Sequence, residues 1–341
     1  MKQMRIGNPI LWVVFCTLAF VWGSSFLFIK LGLEEGLAPL TLVTYRLLIG
    51  TAFLFTVMRL TGARLPSDRG VLIRIGAVGI LNIALPFSLI TWGELWIDSA
   101  LASILNGLVP LFTIVMASVY LRDEPITVNR LVGLVMGFGG AVLLLTRGLA
   151  GEGAADPGMQ FIGQLAVVMA SLCYAIAIVV MRGLFTGRPL VDDPVAGPRA
   201  LNPVELALPQ VVTAALIVGA LAILVEVIGQ GRSPLLPTFL AAFSVSWLGL
   251  LGSGLAYLLA FTLLNAWGAT RTTLVTYAMP IVGLVLGVLV LGEVIDLQVI
   301  AGSALIIGGI VLANSRFGAR RLYGRPGAQP SGTAAPAEPL P

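Results

Sequence analysis

The second half of this chain repeats the first, and the copies are separated by an odd number of apolar segments. Residues 110–143 read PLFTIVMASVYLRDEPITVNRLVGLVMGFGGAVL, and residues 280–312 read PIVGLVLGVLVLGEVIDLQVIAGSALIIGGIVL. With one extra residue in the first copy, Pro110 matches Pro280, Glu124 matches Glu293, Gly133 matches Gly302, and Gly139-Gly140 matches Gly308-Gly309. Five membrane spans per copy would place the copies upside down relative to one another. That arrangement is the signature of secondary carriers built from inverted repeats.

The composition supplies those spans. Of 341 residues, 58% are hydrophobic and 11% charged, with a mean hydropathy of +1.00, whereas soluble domains carry about 25% charged residues. Apolar runs of roughly twenty residues, the length that crosses a bilayer core, fall at 10–30, 39–58, 71–93, 99–120, 128–146, 161–181, 203–228, 238–264, 270–291 and 297–315. The expected fold is therefore an all-α integral membrane protein, with ten transmembrane helices as two inverted five-helix repeats. Residues 1–9 form the N-terminus, 10–146 the first repeat, 147–160 an outer loop, 161–315 the second repeat and 316–341 a tail. The tail is dominated by Gly, Ala and Pro, cannot bury a core, and is predicted to be disordered. The Gly-, Pro- and charge-rich loop 182–202 reads as a flexible insertion.

The positive charge follows topology. With the N-terminus in the cytoplasm, the cytoplasmic segments hold 16 Lys and Arg and the outer segments hold 3, namely Lys30, Arg147 and Arg232; Arg46 lies inside a span. Such a bias places both termini in the cytoplasm and leaves no need for a nucleic-acid partner. The chain has no His, and its cysteines, Cys16 and Cys173, both lie within spans. Zinc or haem sites need more nitrogen or sulfur ligands than that, so neither metal nor cofactor is expected. The first apolar run lacks a clear cleavage site and reads as an uncleaved helix.

A carrier needs polar or aromatic groups at mid-depth to replace water around its solute. Trp22, Ser24 and Ser25 on helix one supply them, with Asn82 and Trp92 on helix three and Asn106 on helix four. The second repeat offers Tyr174, Tyr257, Thr276 and Tyr277. Ser and Thr also bond to their own helix backbone, and aromatics near span ends also serve as interface anchors. Asn82 and Asn106 are the stronger candidates, because an Asn in a span must find a partner or a cavity.

Arg46 falls opposite Gln210 in the second repeat and lies roughly 10 Å in from the outer surface. It could bind a substrate carboxylate, bond backbone carbonyls between helices, or reach toward the interface. Glu124 and Glu293 each sit just before the next helix, where a carboxylate caps free N–H groups; capping is the favoured reading. Glu205 is the best remaining carboxylate for proton coupling, and Glu226 lies near the end of helix seven. Pro110 and Pro280 correspond, and interrupt their helices where bending could serve gating or only helix shape. Gly133-xxx-Gly137 and Gly283-xxx-Gly287 permit close helix approach. They are a packing signal first and a homodimer signal second.

The chain resembles the drug/metabolite transporter superfamily, specifically its EamA-type ten-helix members. The resemblance rests on WGSSF at 22–26 followed by Lys30, intramembrane Arg46, ASILNGLVP at 102–110, the Glu ending helices four and nine, and Gly-rich helices five and ten. It covers about residues 10–315 and departs only in the long loop 182–202. It implies a bacterial inner-membrane carrier, commonly an exporter of amino acids, related metabolites or drugs. Export is favoured over uptake on that ground alone.

Rival classes have less to work with. An intramembrane enzyme would lack metal ligands and paired carboxylates at one depth, and no phosphate-binding loop is present. A channel or facilitative permease stays open as the alternative, although channels usually repeat a polar filter around a pore. The expectation is a small-molecule carrier in the lipid bilayer working by alternating access. Its central cavity would be lined mainly by helices one, three, four, six, eight and nine.

Overall fold

The computed structural model describes residues 9–120, 126–150, 156–185, 191–193, 197–199, 201–235, 238–267, 272, 274–315 and 321–323. Among these residues ten helical spans follow one another. They are α1 (Pro9–Glu34), α2 (Pro39–Thr61), α3 (Arg69–Gly93), α4 (Ser99–Tyr120), α5 (Val128–Ala150), α6 (Pro157–Phe185), α7 (Pro203–Gly229), α8 (239–267), α9 (Val275–Leu291) and α10 (Leu297–Asn314). Nine of them contain a stretch long and apolar enough to cross a bilayer, and α9 is a 17-residue apolar helix. In hydrocarbon each backbone polar group must be satisfied within its own segment, which is why the apolar runs become helices. The ends differ from the sequence expectation: α1 and α6 run past both edges of their apolar runs, and α9 starts at Val275 rather than 270. Two short antiparallel pairs, 126–127 with 321–323 and 191–193 with 197–199, lie outside the spans. Glu124 and most of the tail lie outside the described residues.

Local signals set the helix ends. Pro39 and Pro203 begin α2 and α7, where the missing N–H costs nothing. Asn202 and Glu205 form a reciprocal capping box at the start of α7. Gly62 and Gly292 terminate α2 and α9 at φ 68°, a left-handed conformation glycine adopts without a Cβ penalty.

Packing between the repeats is reciprocal. A Cβ on Gly133 of α5 would collide with the Gly309 carbonyl and with Ala313 of α10, and one on Gly140 would meet the Gly302 carbonyl at 2.7 Å. Because Gly133 matches Gly302 and Gly140 matches Gly309, the α5–α10 contact is antiparallel and maps onto itself when the repeats are exchanged. The same holds one layer away. Gly79 of α3 lies against Gln210 of α7, with its would-be Cβ 2.7 Å from the Gln210 Cα, and Gly249 of α8 lies against Ile49 and the Arg46 carbonyl of α2. Matched glycines thus meet matched partners, as a two-fold axis in the membrane plane requires. The small-residue faces are spent inside the chain: Gly137 receives Leu111, Gly283 faces Ser103, and Gly287 faces Glu293.

Capping also crosses the repeats. Glu226, near the end of α7, accepts from the backbone N–H of Leu40 (2.7 Å) and Thr41 (2.8 Å) and from the Thr41 hydroxyl (2.8 Å) at the start of α2. Glu293 accepts from the N–H of Ser99 (2.7 Å) and Ala100 (2.9 Å), so it caps α4. This corrects the expectation that it caps the helix following it in sequence; Asp296 does that for α10, accepting from Val299 N–H at 2.8 Å. A carboxylate at a helix N-terminus meets both free donors and the positive end of the dipole. Glu226→Gln keeps the shape but turns one acceptor into a donor facing N–H groups. It is expected to cost about 2 kcal/mol, read as a lower Tm of the detergent-solubilised protein; an unchanged Tm would show the cap carries no stability.

Candidate substrate-binding site

Three of the helices that reach the centre, α3, α4 and α8, are locally altered there. In α3 the turn Ile80–Ala84 is π-helical and precedes Pro86; in α8 the stretch Trp247–Leu255 is π-helical and contains Gly249, Gly252 and Gly254. These are corresponding helices of the two repeats. A π turn widens the backbone and re-aims side chains, and such turns gather at functional sites. In α4 the regular helix stops at Asn106 and resumes at Val109, so Pro110 falls in the first turn of the renewed helix. Its counterpart Pro280 instead sits within a continuous α9.

The result is a cavity of about 300 Å³ at the centre of the bundle. Helices α1, α3, α4, α6, α8 and α9 line it, and α2 adds Arg46. Of the ten polar and aromatic candidates, Trp22, Ser25, Asn82, Asn106, Tyr174, Tyr257 and Thr276 are brought together on its wall, whereas Ser24 and Tyr277 are not among its lining residues. Nor is Trp92: it lies beside Trp96, their rings 6.5 Å apart, on the turn that leaves α3. Sequence reasoning missed Phe87, Ile29, Ile90, Gly252, Met181 and Met279, which also line the cavity. In an apolar helix surrounded by lipid nothing in the residue pattern marks them.

Among the described residues, Arg46 carries the only formal charge on that wall. It is 5% exposed; its Nε donates to Ser253 Oγ at 2.9 Å, and its guanidinium carbon stands 3.8 Å over the Phe87 ring. That stacking is a cation–π contact, favourable away from water. Gly252 lies beside the fork: a Cβ there would be 3.2 Å from Ser25 Oγ and in ordinary contact, 3.5 Å, with Arg46 Nη2. Among the described residues the terminal guanidinium nitrogens have no hydrogen-bond partner, and Arg46 lines the cavity. Gln210, the residue matched to Arg46, is instead an acceptor for Asn82 Nδ2 at 3.0 Å and a donor to the Leu206 carbonyl at 3.0 Å. Asn82 therefore both lines the cavity and ties α3 to α7. Asn106 has a buried Oδ1 without a partner among the described residues. Ser24, behind the wall, donates to the Val21 carbonyl and accepts from Trp247 Nε1, both at 3.1 Å.

The remaining candidates are structural. Both Glu205 oxygens accept backbone N–H groups, from Asn202 at 2.8 Å and Arg64 at 3.3 Å, which removes it as a free carboxylate. Pro280 touches the break in α4: a Cβ on Gly107 would lie 3.2 Å from its Cγ.

The cavity ends beyond Ile29 and Ile90, at the end of the bundle opposite the start of α1. Lys30, next to Ile29, donates from Nζ to the carbonyls of Glu94 (2.9 Å) and Ile97 (3.1 Å), tying α1 to the turn between α3 and α4. Glu94, one turn past Ile90 and just outside the α3 span, is fully buried, and neither carboxylate oxygen has a hydrogen-bond partner among the described residues. Burial raises its carboxyl well above the usual carboxylate range, against the opposing pull of Lys30.

Ten apolar helices in two inverted sets, closed around one chamber, define a polytopic membrane transporter. The EamA-like transporter family matches residues 9–146 and 161–315, and the chain belongs to that family. It is 25% identical to an uncharacterized transporter of Archaeoglobus fulgidus, over 88% of this chain and 97% of that one. It is 27% identical to a probable terminal-alkyne amino-acid exporter of Streptantibioticus cattleyicolor, over 95% and 99%. It is 24% identical to the uncharacterized inner membrane transporter YedA of Escherichia coli K12, over 82% of each. A solved protein structure shares the fold, with a TM-score of 0.61, 17% identity and coverage of 90% of this chain and 97% of that chain.

Proposed function

We propose that the chain exports a small amphiphilic carboxylate, in the first instance an amino acid with an apolar side chain, across the inner membrane by alternating access. Both termini lie in the cytoplasm in this reading, so the Lys30–Glu94 end faces outward. The single observation that carries it is the unpaired Arg46 fork in an otherwise uncharged chamber shared by both repeats. A cation removed from water and left without a counter-ion is costly, and a solute carboxylate would supply the missing partner in the bidentate geometry guanidinium favours. Asn106 Oδ1, an unsatisfied acceptor, and the faces of Trp22, Tyr174 and Tyr257 suit an ammonium group. Phe26, Ile178 and Met279 offer apolar surface to the side chain. The amino-acid exporter among the relatives is compatible with this class.

Reconstituted vesicles preloaded with unlabelled amino acid should accumulate the labelled form transiently, the counterflow of a carrier. A channel gives none, and absence of counterflow at saturating solute would overturn the carrier reading. Trp22→Ala and Asn106→Ala are each expected to reduce exchange by at least about tenfold, equivalent to losing about 1.4 kcal/mol of solute binding, with protein levels unchanged. Full exchange by both variants would show that solute does not bind in this chamber.

A further inference from the structure

Three carboxylates near the span ends are already committed: Glu205, Glu226 and Glu293 each accept backbone N–H groups at helix starts. Glu94 differs from all of them. It is fully buried with both oxygens unpartnered among the described residues, and it sits in the turn at the Lys30 end of the chamber, the outward end in the proposed topology. Its neighbourhood is polar but equally unsatisfied. On α6, Gly163 packs against this turn, its would-be Cβ 3.0 Å from the Gly93 carbonyl and 3.2 Å from Trp96 Cβ. The adjacent Gln164 is fully buried with neither amide atom bonded, as are Thr91 Oγ1 and Ser99 Oγ. The ionisable groups acting on Glu94 are Lys30 from α1, Glu293 from the turn after α9 and Arg46 from α2. From α6 the residues next to the contact, Gln160 and Gln164, do not titrate, and Asp98 lies in Glu94's own turn. In this conformation the Lys30 ammonium donates to the Glu94 and Ile97 carbonyls rather than to the carboxylate.

We propose that Glu94 is a proton-binding site of the outward gate: closing that end of the chamber takes up one proton at its carboxyl, and opening it releases the proton. A carboxylate in a dry site without donors is far costlier than the neutral acid, so the closed arrangement selects the protonated form. When α1 leaves the α3–α4 turn, the Lys30 ammonium loses its two carbonyls and water enters. Both changes favour the carboxylate, which then pairs with Lys30, and the proton leaves to the outside. One proton-linked step changes the open-to-closed ratio by up to about tenfold per pH unit. Acid outside therefore holds the gate shut and alkali opens it. This deepens the alternating-access reading, but its test needs neither substrate nor transport, so the two fail separately.

The test uses the full chain in right-side-out vesicles with Cys16 and Cys173 replaced by Ala and one reporter, Ile90→Cys, on the outer part of the chamber wall. A membrane-impermeant methanethiosulfonate is added outside from about pH 5 to about pH 9. Its rate is divided by that of the same protein carrying Glu94→Gln, which cancels the intrinsic ionisation of the thiol. The ratio is expected to climb by as much as about tenfold per pH unit across the titration, with Glu94→Gln held closed throughout. A ratio that stays flat would overturn the proposal. If Glu94→Gln does not fold, the unaltered chain is treated with dicyclohexylcarbodiimide, which attacks protonated carboxyls in apolar surroundings. Mass spectrometry should find the adduct on Glu94, faster in acid, and not on Glu205, Glu226 or Glu293. No adduct on Glu94 at any pH would equally overturn it.

Discussion

Arg46→Gln should raise the apparent dissociation constant for a carboxylate solute on the order of 100-fold, about 3 kcal/mol, while leaving the protein folded. The loss follows from the guanidinium's position, with one edge on Ser253, one face on Phe87 and two nitrogens turned to the chamber. Gln can keep a bond toward Ser253 but brings no charge and no fork. Arg46→Lys should fall between the two, because an ammonium is a point charge that cannot stack on Phe87 and grip two oxygens at once. Comparing each amino acid with its decarboxylated amine separates solute contact from structure. In the unaltered protein the acid should exchange much faster than the amine, and in Arg46→Gln the two should converge. Equal loss for acid and amine would mean that Arg46 only holds the helices together.

Gly133→Leu should abolish accumulation of folded protein, with a cost above about 3 kcal/mol, while Gly139→Leu on the same helix should be tolerated. Any Cβ on Gly133 would run into the Gly309 carbonyl and the Ala313 backbone; around Gly139 there is nothing within 4 Å. Backbone cannot rotate away as a side chain can, so α5 and α10 would have to part along their whole contact. Apolar side chains offer no gain over lipid as helix glue, so close backbone approach holds such pairs together. Fluorescence-detected size exclusion would show the contrast. A monodisperse Gly133→Leu peak at normal yield would refute the packing account.

The glycine pairs also show how far the sequence could be read. Gly139-Gly140 and Gly308-Gly309 look alike as matched doublets. Only Gly140 and Gly309 meet the partner helix, whereas Gly139 and Gly308 face outward with open space or a single Met136 methyl nearby. A duplicated motif shows that a face is shared by both copies without showing which residue of the pair lies on it. The chamber was legible to a similar depth. Mid-span Trp, Tyr and Asn pointed toward it, because such side chains in a span need a cavity or a partner. Phe87, Ile90 and Met279 did not, and Trp92, with the same credentials as Trp22, lies beside Trp96 instead. In a soluble helix amphipathic periodicity would have separated these faces. Lipid is as apolar as a packed interior, so that contrast is missing from the sequence.

The carboxylates mark where sequence stopped and tertiary structure began. Composition, run length and the ordered repeat determined that this chain would cross the membrane as ten helices in two inverted sets, since length and hydrophobicity act locally. Which acid stays free was decided by contacts between elements far apart in the chain. Glu205 closes its own helix and the Arg64 loop, Glu226 caps α2, Glu293 caps α4, and Glu94, which had no distinction in the sequence beyond ending a span, is buried with no donor among the described residues. A carboxylate's partners are set by where other helix ends arrive, and only the packed bundle fixes that.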